Sequence, residues 1–199
     1  MTRCLFASDL HGREARYRAL LDAVESDAAA VVFLGGDLLP HPARHTTSDA
    51  DCLDRLLVSP LERLRARKKQ AYPSVFVIMG NDDARSAEGV LEEADARGLI
   101  HYIHGRRATC DAYTVYGYAC VPPTPFQLKD WERYDVSRYV DPGCVAPEEG
   151  WHTVPVDARE RRRAGRRDAS SRRSATSRVA PCRPGVGCRP SRRGRDCPR

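Results

Sequence analysis

The sequence predicts an α/β fold in which helices pack on a mainly parallel sheet. Two observations carry this prediction. Short apolar runs alternate with amphipathic stretches over the first 120 residues, and each of the first three runs ends in a polar or glycine-rich turn. This β-α-β-α-β order is typical of crossover connections, which join parallel strands. The chain has 199 residues, which is enough for one domain with a real core.

The strands are predicted from short, bounded apolar runs. The run AVVFL at residues 30–34 is apolar throughout, as expected of a central strand covered on both faces. By contrast, residues 112–119 alternate in the period-2 manner of a half-buried strand. The predicted strands cover residues 3–8, 30–34, 74–79, 99–103 and 112–119.

The helices are predicted from apolar residues spaced by three or four positions. This spacing predicts helices over residues 14–26, 49–58 and 86–97, the last of them stopped by Gly98. Ser59, with proline after it and Glu three positions later, has the pattern of an N-cap that begins a new helix. Two loops are predicted, a polar one at residues 40–48 and a long ordered one at residues 121–150.

The charge of the chain is divided between two parts of opposite sign. The whole chain carries 33 Lys and Arg against 27 Asp and Glu, a net charge of +6. Residues 1–150 have 18 basic and 23 acidic residues, whereas residues 151–199 have 15 Arg, no Lys and four acidic residues. After Glu160 the only apolar residues are Ala, Val and Cys. Such a segment cannot bury enough apolar surface to offset the entropy of ordering it, so residues 158–199 are predicted to be a disordered tail.

Two hypotheses account for this Arg-rich tail. A composition without Lys, Ile, Phe or Tyr is expected of an aberrant reading frame in a GC-rich gene. Alternatively, the 14 Arg and two acidic residues of 161–199 would attract the phosphates of a nucleic acid. Because the tail has no aromatic residue for base stacking and no helical periodicity, we favour the first hypothesis and expect at most nonspecific nucleic-acid binding.

Several classes of protein are disfavoured. The longest apolar run, residues 28–34, is far shorter than the ~20 residues that span a bilayer, and the first residues do not resemble a secretory signal. The eight Cys are scattered and form no C-x-x-C pair, so free thiols are favoured over disulfides or a zinc site. We therefore expect a cytoplasmic protein with one folded domain over residues 1–157 and no membrane partner.

Polar side chains follow each of the first three predicted strands. Asp9 and His11 come after the first strand, Asp37 after the second, and Asn81 and Asp82 after the third. Each motif alone is more often a turn or a helix cap. In an open parallel sheet, however, the turns at the carboxyl ends of the strands meet at one edge. Carboxylate, imidazole and carboxamide groups together suit divalent metals such as Mn, Fe or Zn, so the joint pattern predicts a metal site at this edge.

These three motifs, D-x-H, G-D and G-N-D, resemble those of the calcineurin-like metallophosphoesterase family over about residues 1–157. The resemblance implies an α-β-β-α sandwich and hydrolysis of a phosphate ester by water activated between two divalent metal ions. It also implies that Asp9 and His11 bind one metal ion, that Asp37 bridges both ions, and that Asn81 binds the second. Residues 121–150 further resemble a bacterial subgroup of the family.

The third motif differs from that of many family members, in which His follows the Asn. Asp82 stands at this position. It is predicted to be a catalytic acid whose pKa the neighbouring Asp83 raises. The alternative is that Asp82 caps the next helix, and the sequence leaves both possibilities open.

The family's downstream ligands, a lone His and a G-H-x-H motif, have no match in this sequence. His101, His104 and His152 do not fit these motifs, so we interpret them as ordinary core or surface residues. Fewer ligands predict weakened metal binding and doubtful activity. The alternative function is therefore a non-catalytic remnant that binds a metal ion or a nucleotide.

The resemblance ends where the Arg-rich stretch begins, so we expect the sandwich to be incomplete. The missing half would cover one face of the sheet. We therefore expect strand residues such as Val32, Leu34 and Phe76 to lack part of their packing, and the protein to aggregate.

Overall fold

Six strands and four α-helices form the fold of residues 2–41 and 48–153, the part of the chain that the computed structural model describes. No helix in these two ranges is both long and apolar enough to cross a lipid bilayer. The predicted tail at 158–199 and most of the loop at 40–48 lie outside the described residues. The strands are β1 (Cys4–Ala7), β2 (Val31–Gly35), β3 (Ser74–Ile78), β4 (His101–Tyr102), β5 (Arg107–Cys110) and β6 (Tyr113–Tyr116), and the helices are α1 (Glu14–Ser26), α2 (Asp49–Leu53), α3 (Ser59–Lys68) and α4 (Glu88–Ala96).

The first four strands form one parallel sheet in the order β1-β2-β3-β4. The last two strands form a separate antiparallel hairpin. Crossovers between parallel strands are right-handed. In this sheet each crossover leads to the adjacent strand on the same side, so the connecting helices are expected to lie on one face of the sheet. The α/β class and the parallel sheet predicted from the sequence are confirmed.

The strand residues alternate between two apolar clusters on opposite faces of the sheet. Val32 and Val77 pack into the main core with side chains from the helices. Their neighbours Val31 and Phe76 belong to a second cluster, against which Val115 of the hairpin packs. The layers are therefore helices, parallel sheet and hairpin, an arrangement that is consistent with a metallophosphoesterase-type sandwich.

The expectation that the sheet lacks packing is wrong for the three residues chosen. Val32 and Leu34 are each 2% exposed, and Phe76 is 1% exposed. Val32 and Leu34 pack in the main core on the helix face of the sheet, and the hairpin covers Phe76 on the opposite face. Apolar surface is instead exposed at Phe6 on the edge strand β1 and at Tyr116 on the hairpin, which are 69% and 73% exposed.

The helices α2 and α3 are continuous through a π-helical turn, Asp54–Val58. The side chain of Ser48 caps the start of α2 by accepting a hydrogen bond from the Asp51 N–H at 3.1 Å. Segment α3 begins at Ser59, as predicted. The predicted N-cap role of this residue is wrong, because Ser59 has helical backbone angles and an N-cap needs an extended backbone. The widened turn gives room to the ring of Pro60, which would otherwise meet the carbonyl four residues earlier.

Three further elements differ from the predictions. Strand β5 was not predicted, because its sequence RATC has neither an apolar run nor a clear alternation. Strand β4 has two residues rather than the five predicted. The predicted helix at 86–97 begins as a 3₁₀ turn, Arg85–Ala87, before α4. The other predicted strands and α1 are confirmed to within a few residues at their ends.

Residues 121–150 form a long ordered loop, as predicted, with only isolated bridges at Val121–Glu132 and Leu128–Trp151. The order comes from four consecutive side chains that point inward. Their exposed fractions are 1% for Lys129, 8% for Asp130, 0% for Trp131 and 5% for Glu132.

The five cysteines in the described part of the chain carry free thiols, as predicted. Cys52 and Cys120 are buried, where a thiol packs as a small apolar group. Burial raises the pKa of Cys52, which keeps this thiol protonated and unreactive. The remaining three cysteines lie outside the described residues.

Candidate metal centre

Three potential metal ligands meet at the carboxyl edge of the sheet. Asp9 and His11 lie in the loop after β1, and Asp37 lies in the loop after β2. One ligand atom from each of these side chains lies within 4.8 Å of the other two. The side chain of Asp9 is 61% exposed and that of His11 is 28% exposed, so the cluster opens to solvent.

Backbone hydrogen bonds hold these two loops side by side beyond the ends of their strands. The N–H of Asp9 donates to the Gly36 carbonyl at 3.1 Å, and the N–H of His11 donates to the Asp37 carbonyl at 2.8 Å. In the same way, the N–H of Gly12 donates to the Leu38 carbonyl at 2.8 Å. The pairing of β1 with β2 thus extends into the loops and sets the spacing between the predicted ligands.

The backbone at all three ligands is left-handed. The φ angles are 57° at Asp9, 47° at His11 and 53° at Asp37. These are three of the six non-glycine residues with positive φ in the described ranges. Such conformations cost roughly 1–3 kcal/mol each and concentrate at functional sites. Here they turn three side chains toward a common point.

Two glycines let the loops after β2 and β3 touch. A Cβ on Gly36, whose φ is +96°, would lie 2.5 Å from the Gly80 nitrogen. A Cβ on Gly80 would lie 2.2 Å from Oδ1 of Asp37. Any side chain at Gly80 would therefore displace the Asp37 carboxylate, which explains why glycine precedes Asn81 here.

The loop after β3 completes the site through its backbone. The N–H of Asp82 donates to Oδ1 of Asp37 at 3.1 Å. The Asp83 carboxylate, 0% exposed, accepts hydrogen bonds from the Leu39 N–H at 2.7 Å and the Gly80 N–H at 2.8 Å. Burial raises the pKa of Asp83 to about 7, although these backbone hydrogen bonds lower it. Asp83 therefore joins the loop after β2 to the loop after β3.

The side chains of Asn81 and Asp82 lie beside the cluster. Oδ2 of Asp82 is 3.9 Å from Nδ1 of His11, and the Asp82 side chain is 16% exposed. The Asn81 amide is 3.5 Å from Oδ1 of Asp82. The alternative of a helix cap is not what the structure has, since neither the Arg85–Ala87 turn nor α4 begins with a side-chain cap. The predicted roles of Asn81 as a ligand and of Asp82 as an acid stay predictions.

The electrostatics of the cluster fit a divalent cation. Burial raises the pKa of Asp37, and the carboxylates of Asp82 and Asp9 act in the same direction. The Asp82 N–H and the imidazole of His11 oppose this shift. A half-buried carboxylate among other carboxylates is costly to ionise, and a cation would offset that cost. Two carboxylates with one imidazole form a donor set that suits a divalent metal ion.

The downstream histidines have other partners. The ring of His101 stacks on Phe76 with centroids 4.9 Å apart. Nδ1 of His104 accepts a hydrogen bond from a backbone N–H at 3.1 Å, and Nε2 of His152 lies 2.9 Å from the Pro147 carbonyl. The one cluster of possible ligands in the described part of the chain contains none of them.

Two supports of the site were not predicted from the sequence. Asp83 was expected only to act on its neighbour Asp82, and its one sequence signal was its place directly after the third motif. Trp131 was given no role, although its Nε1–H donates to the Asp83 carbonyl at 2.7 Å. No local pattern identifies this contact, because 48 residues separate its partners.

Comparisons with known proteins identify the family. The model of the calcineurin-like phosphoesterase family matches residues 2–156. No curated protein matches the chain at a significant level. A solved crystal structure is similar with 18% identity and a TM-score of 0.40, and the match covers 59% of this chain and 53% of that chain. The family match spans well over half of the chain, so this protein belongs to the calcineurin-like phosphoesterases, a family of metal-dependent hydrolases of phosphate esters.

Proposed function

We propose that this chain binds divalent metal ions at the carboxyl edge of its sheet and hydrolyses a phosphate ester. The observation that carries the proposal is the meeting of Asp9, His11 and Asp37 within 4.8 Å in a chain of this family. The loops that hold them are braced by backbone hydrogen bonds and by close glycine contacts. The donors are therefore arranged before any metal binds, which favours binding.

The ligands divide between two ions. Asp9 and His11 would hold the first ion, Asn81 would hold the second, and Asp37 would be a ligand of both. When bound, such ions would supply Lewis-acid chemistry, namely a water activated for in-line attack and neutralised charge on the phosphoryl oxygens. The protein's own task is orientation: the Asp82 N–H, which donates to Oδ1 of Asp37, leaves the second oxygen of that carboxylate for a metal ion.

Asp82 is proposed to protonate the leaving group. Its carboxylate lies at the cluster, 3.9 Å from the His11 ring, and its side chain remains 16% exposed. Replacing Asp82 with Asn should therefore lower turnover more than it lowers metal affinity.

The test combines metal binding with turnover. Isothermal titration with Mn²⁺ and metal analysis of the purified full chain give the number of ions bound, and hydrolysis of a generic aryl phosphate with Mn²⁺ gives turnover. The Asp37→Asn variant should lose both, because it removes the shared ligand. Asp135→Asn is the matched control, since it removes the charge of an exposed carboxylate outside the cluster.

The outcomes separate the possible functions. Two ions per chain, with turnover abolished by Asp37→Asn and retained by Asp135→Asn, support the proposal. Metal binding without turnover favours the alternative, a non-catalytic metal-binding protein. Absence of any bound Mn²⁺ in the unsubstituted protein contradicts the proposal.

A further inference from the structure

A remote segment of the chain holds the loop that carries Asn81 and Asp82. We name residues 80–85 the third loop and residues 121–153 the clamp segment. Within the third loop, the N–H of Asp83 donates to the Gly80 carbonyl at 3.1 Å, and the Asp83 carboxylate accepts from the Gly80 N–H at 2.8 Å. The clamp segment reaches it at two consecutive residues, Asp130 and Trp131.

Trp131 contacts the third loop on two sides. Its Nε1–H donates to the Asp83 carbonyl at 2.7 Å. The guanidinium of Arg85 lies over its ring at 4.5 Å from the centroid, and the His104 ring meets it edge-on at 4.9 Å. The ring is 0% exposed. A buried tryptophan has one hydrogen-bond donor, and here that donor is directed to the backbone beside the predicted metal ligands.

Asp130 binds the end of the same loop. Its Oδ2 accepts a hydrogen bond from the Arg85 N–H at 2.8 Å, and its Oδ1 accepts one from the Thr153 N–H at 2.8 Å. The Thr153 hydroxyl also donates to Oδ2 and accepts from the N–H of Ser86 at 2.9 Å. One carboxylate therefore joins the end of the clamp segment to the end of the third loop.

The clamp segment is itself held by a buried ion pair. Nζ of Lys129 lies 2.6 Å from Oε2 of Glu132, and the two side chains are 0% and 1% exposed. Both Glu132 oxygens also accept hydrogen bonds from Thr124, and Nζ donates a second one to the Thr124 carbonyl. A buried pair tolerates few other arrangements, because breaking it leaves an unpaired charge in the interior. Residues 124–132 thus present Asp130 and Trp131 in one geometry.

The contacts form a continuous path to the metal cluster. Trp131 donates a hydrogen bond to the Asp83 carbonyl, and the Asp83 carboxylate accepts hydrogen bonds from the N–H groups of Leu39 and Gly80. The N–H of the adjacent Asp82 donates to the Asp37 carboxylate. We propose that Trp131 and Asp130 are positioning residues for the third loop, and that they set metal affinity through Asp83 and Asp82. The effect on metal affinity rests on the proposed function, whereas the positioning of the loop does not.

The test measures the loop and the metal site separately in the full chain. The Trp131→Phe variant keeps an aromatic ring for Arg85 and loses the donor to Asp83. The amides of Asp82 and Asp83 should then exchange with solvent about fivefold faster, while the amides of β3 stay unchanged. The dissociation constant for Mn²⁺ should rise about tenfold, the low end of the effect of groups that support metal ligands.

Two further variants sharpen the test. Asp130→Asn keeps the size of the side chain but offers one acceptor oxygen instead of two, so the amide of Arg85 or of Thr153 should exchange faster. Trp151→Phe is the matched control, because Trp151 is 57% exposed. This control should change neither amide exchange in the third loop nor the Mn²⁺ dissociation constant.

The outcomes distinguish the inference from the proposed function. Selective loosening of the third loop with weaker Mn²⁺ binding supports the inference. Unchanged exchange in the third loop overturns it, and so does an equal increase across β3, which would mean that Trp131 only stabilises the fold. If the unsubstituted protein binds no Mn²⁺, the proposed function fails, and amide exchange alone decides whether Trp131 positions the loop.

Discussion

Replacing Gly80 with alanine should remove metal binding at a modest cost to stability. The added Cβ would lie 2.2 Å from Oδ1 of Asp37 and 2.4 Å from its nitrogen, whereas ordinary contact begins at 3.4 Å. Asp37 would have to move by about 1.2 Å, and overpacking of this kind costs ~1–3 kcal/mol. Metal sites tolerate about 0.5 Å of displacement, so Mn²⁺ affinity should fall by about 100-fold or more.

A matched control separates this steric effect from a general loss of stability. Gly98 has a φ of +64° and open space around its Cα, so Gly98→Ala costs conformational strain alone, ~1–2 kcal/mol. Both variants should lose a similar free energy of unfolding in urea, and only Gly80→Ala should lose Mn²⁺ in isothermal titration. Mn²⁺ binding by Gly80→Ala within about threefold of the unsubstituted protein would refute the steric argument.

Two more predictions concern stability. Glu132→Gln leaves the buried charge of Lys129 without its partner and should lower the free energy of unfolding in urea by ~3–5 kcal/mol. The control Arg18→Ala breaks the exposed pair with Glu14 and should cost less than ~0.5 kcal/mol. Similar values for the two variants would contradict this prediction. Burial lowers the pKa of His104, so the unfolded chain binds a proton that the folded chain excludes. The contribution of His104 to the free energy of unfolding should therefore fall as pH drops below about 6.5. The difference in urea stability between the unsubstituted protein and the His104→Asn variant should shift in favour of the variant over this range, and identical pH profiles would show that the ring carries no such effect.

The loops of the candidate site could be predicted because each follows a strand with a recognisable pattern. The runs at β2 and β3 are mainly apolar, and the sheet rule then places Asp9, Asp37 and Asn81 at one edge. The structure brings Asp9, His11 and Asp37 together there. Their left-handed backbones were not predictable, since this conformation is uncommon at non-glycine residues even though Asp and His are enriched in it.

Predictions from the sequence failed where tertiary packing overrode or replaced a local sequence pattern. The Ser59-Pro60 pattern is a sound helix start in isolation, yet the apolar face of the helix packs on the core before and after it. Because this packing is continuous, the helix does not end before Ser59, and a π-helical turn accommodates the proline. Strand β5 was missed because it exists through its pairing with β6 and through Ala108 against the sheet.

The sequence by itself determined the α/β class, the parallel strands and the residues that approach one another at their carboxyl ends, because periodicity and turn chemistry are local properties. Only the tertiary structure decided what covers the second face of the sheet and what holds the third loop. The hairpin over Phe76 and the contact from Trp131 to Asp83 join residues far apart in the chain. Contacts of that kind depend on how distant segments pack, and no short stretch of sequence records them.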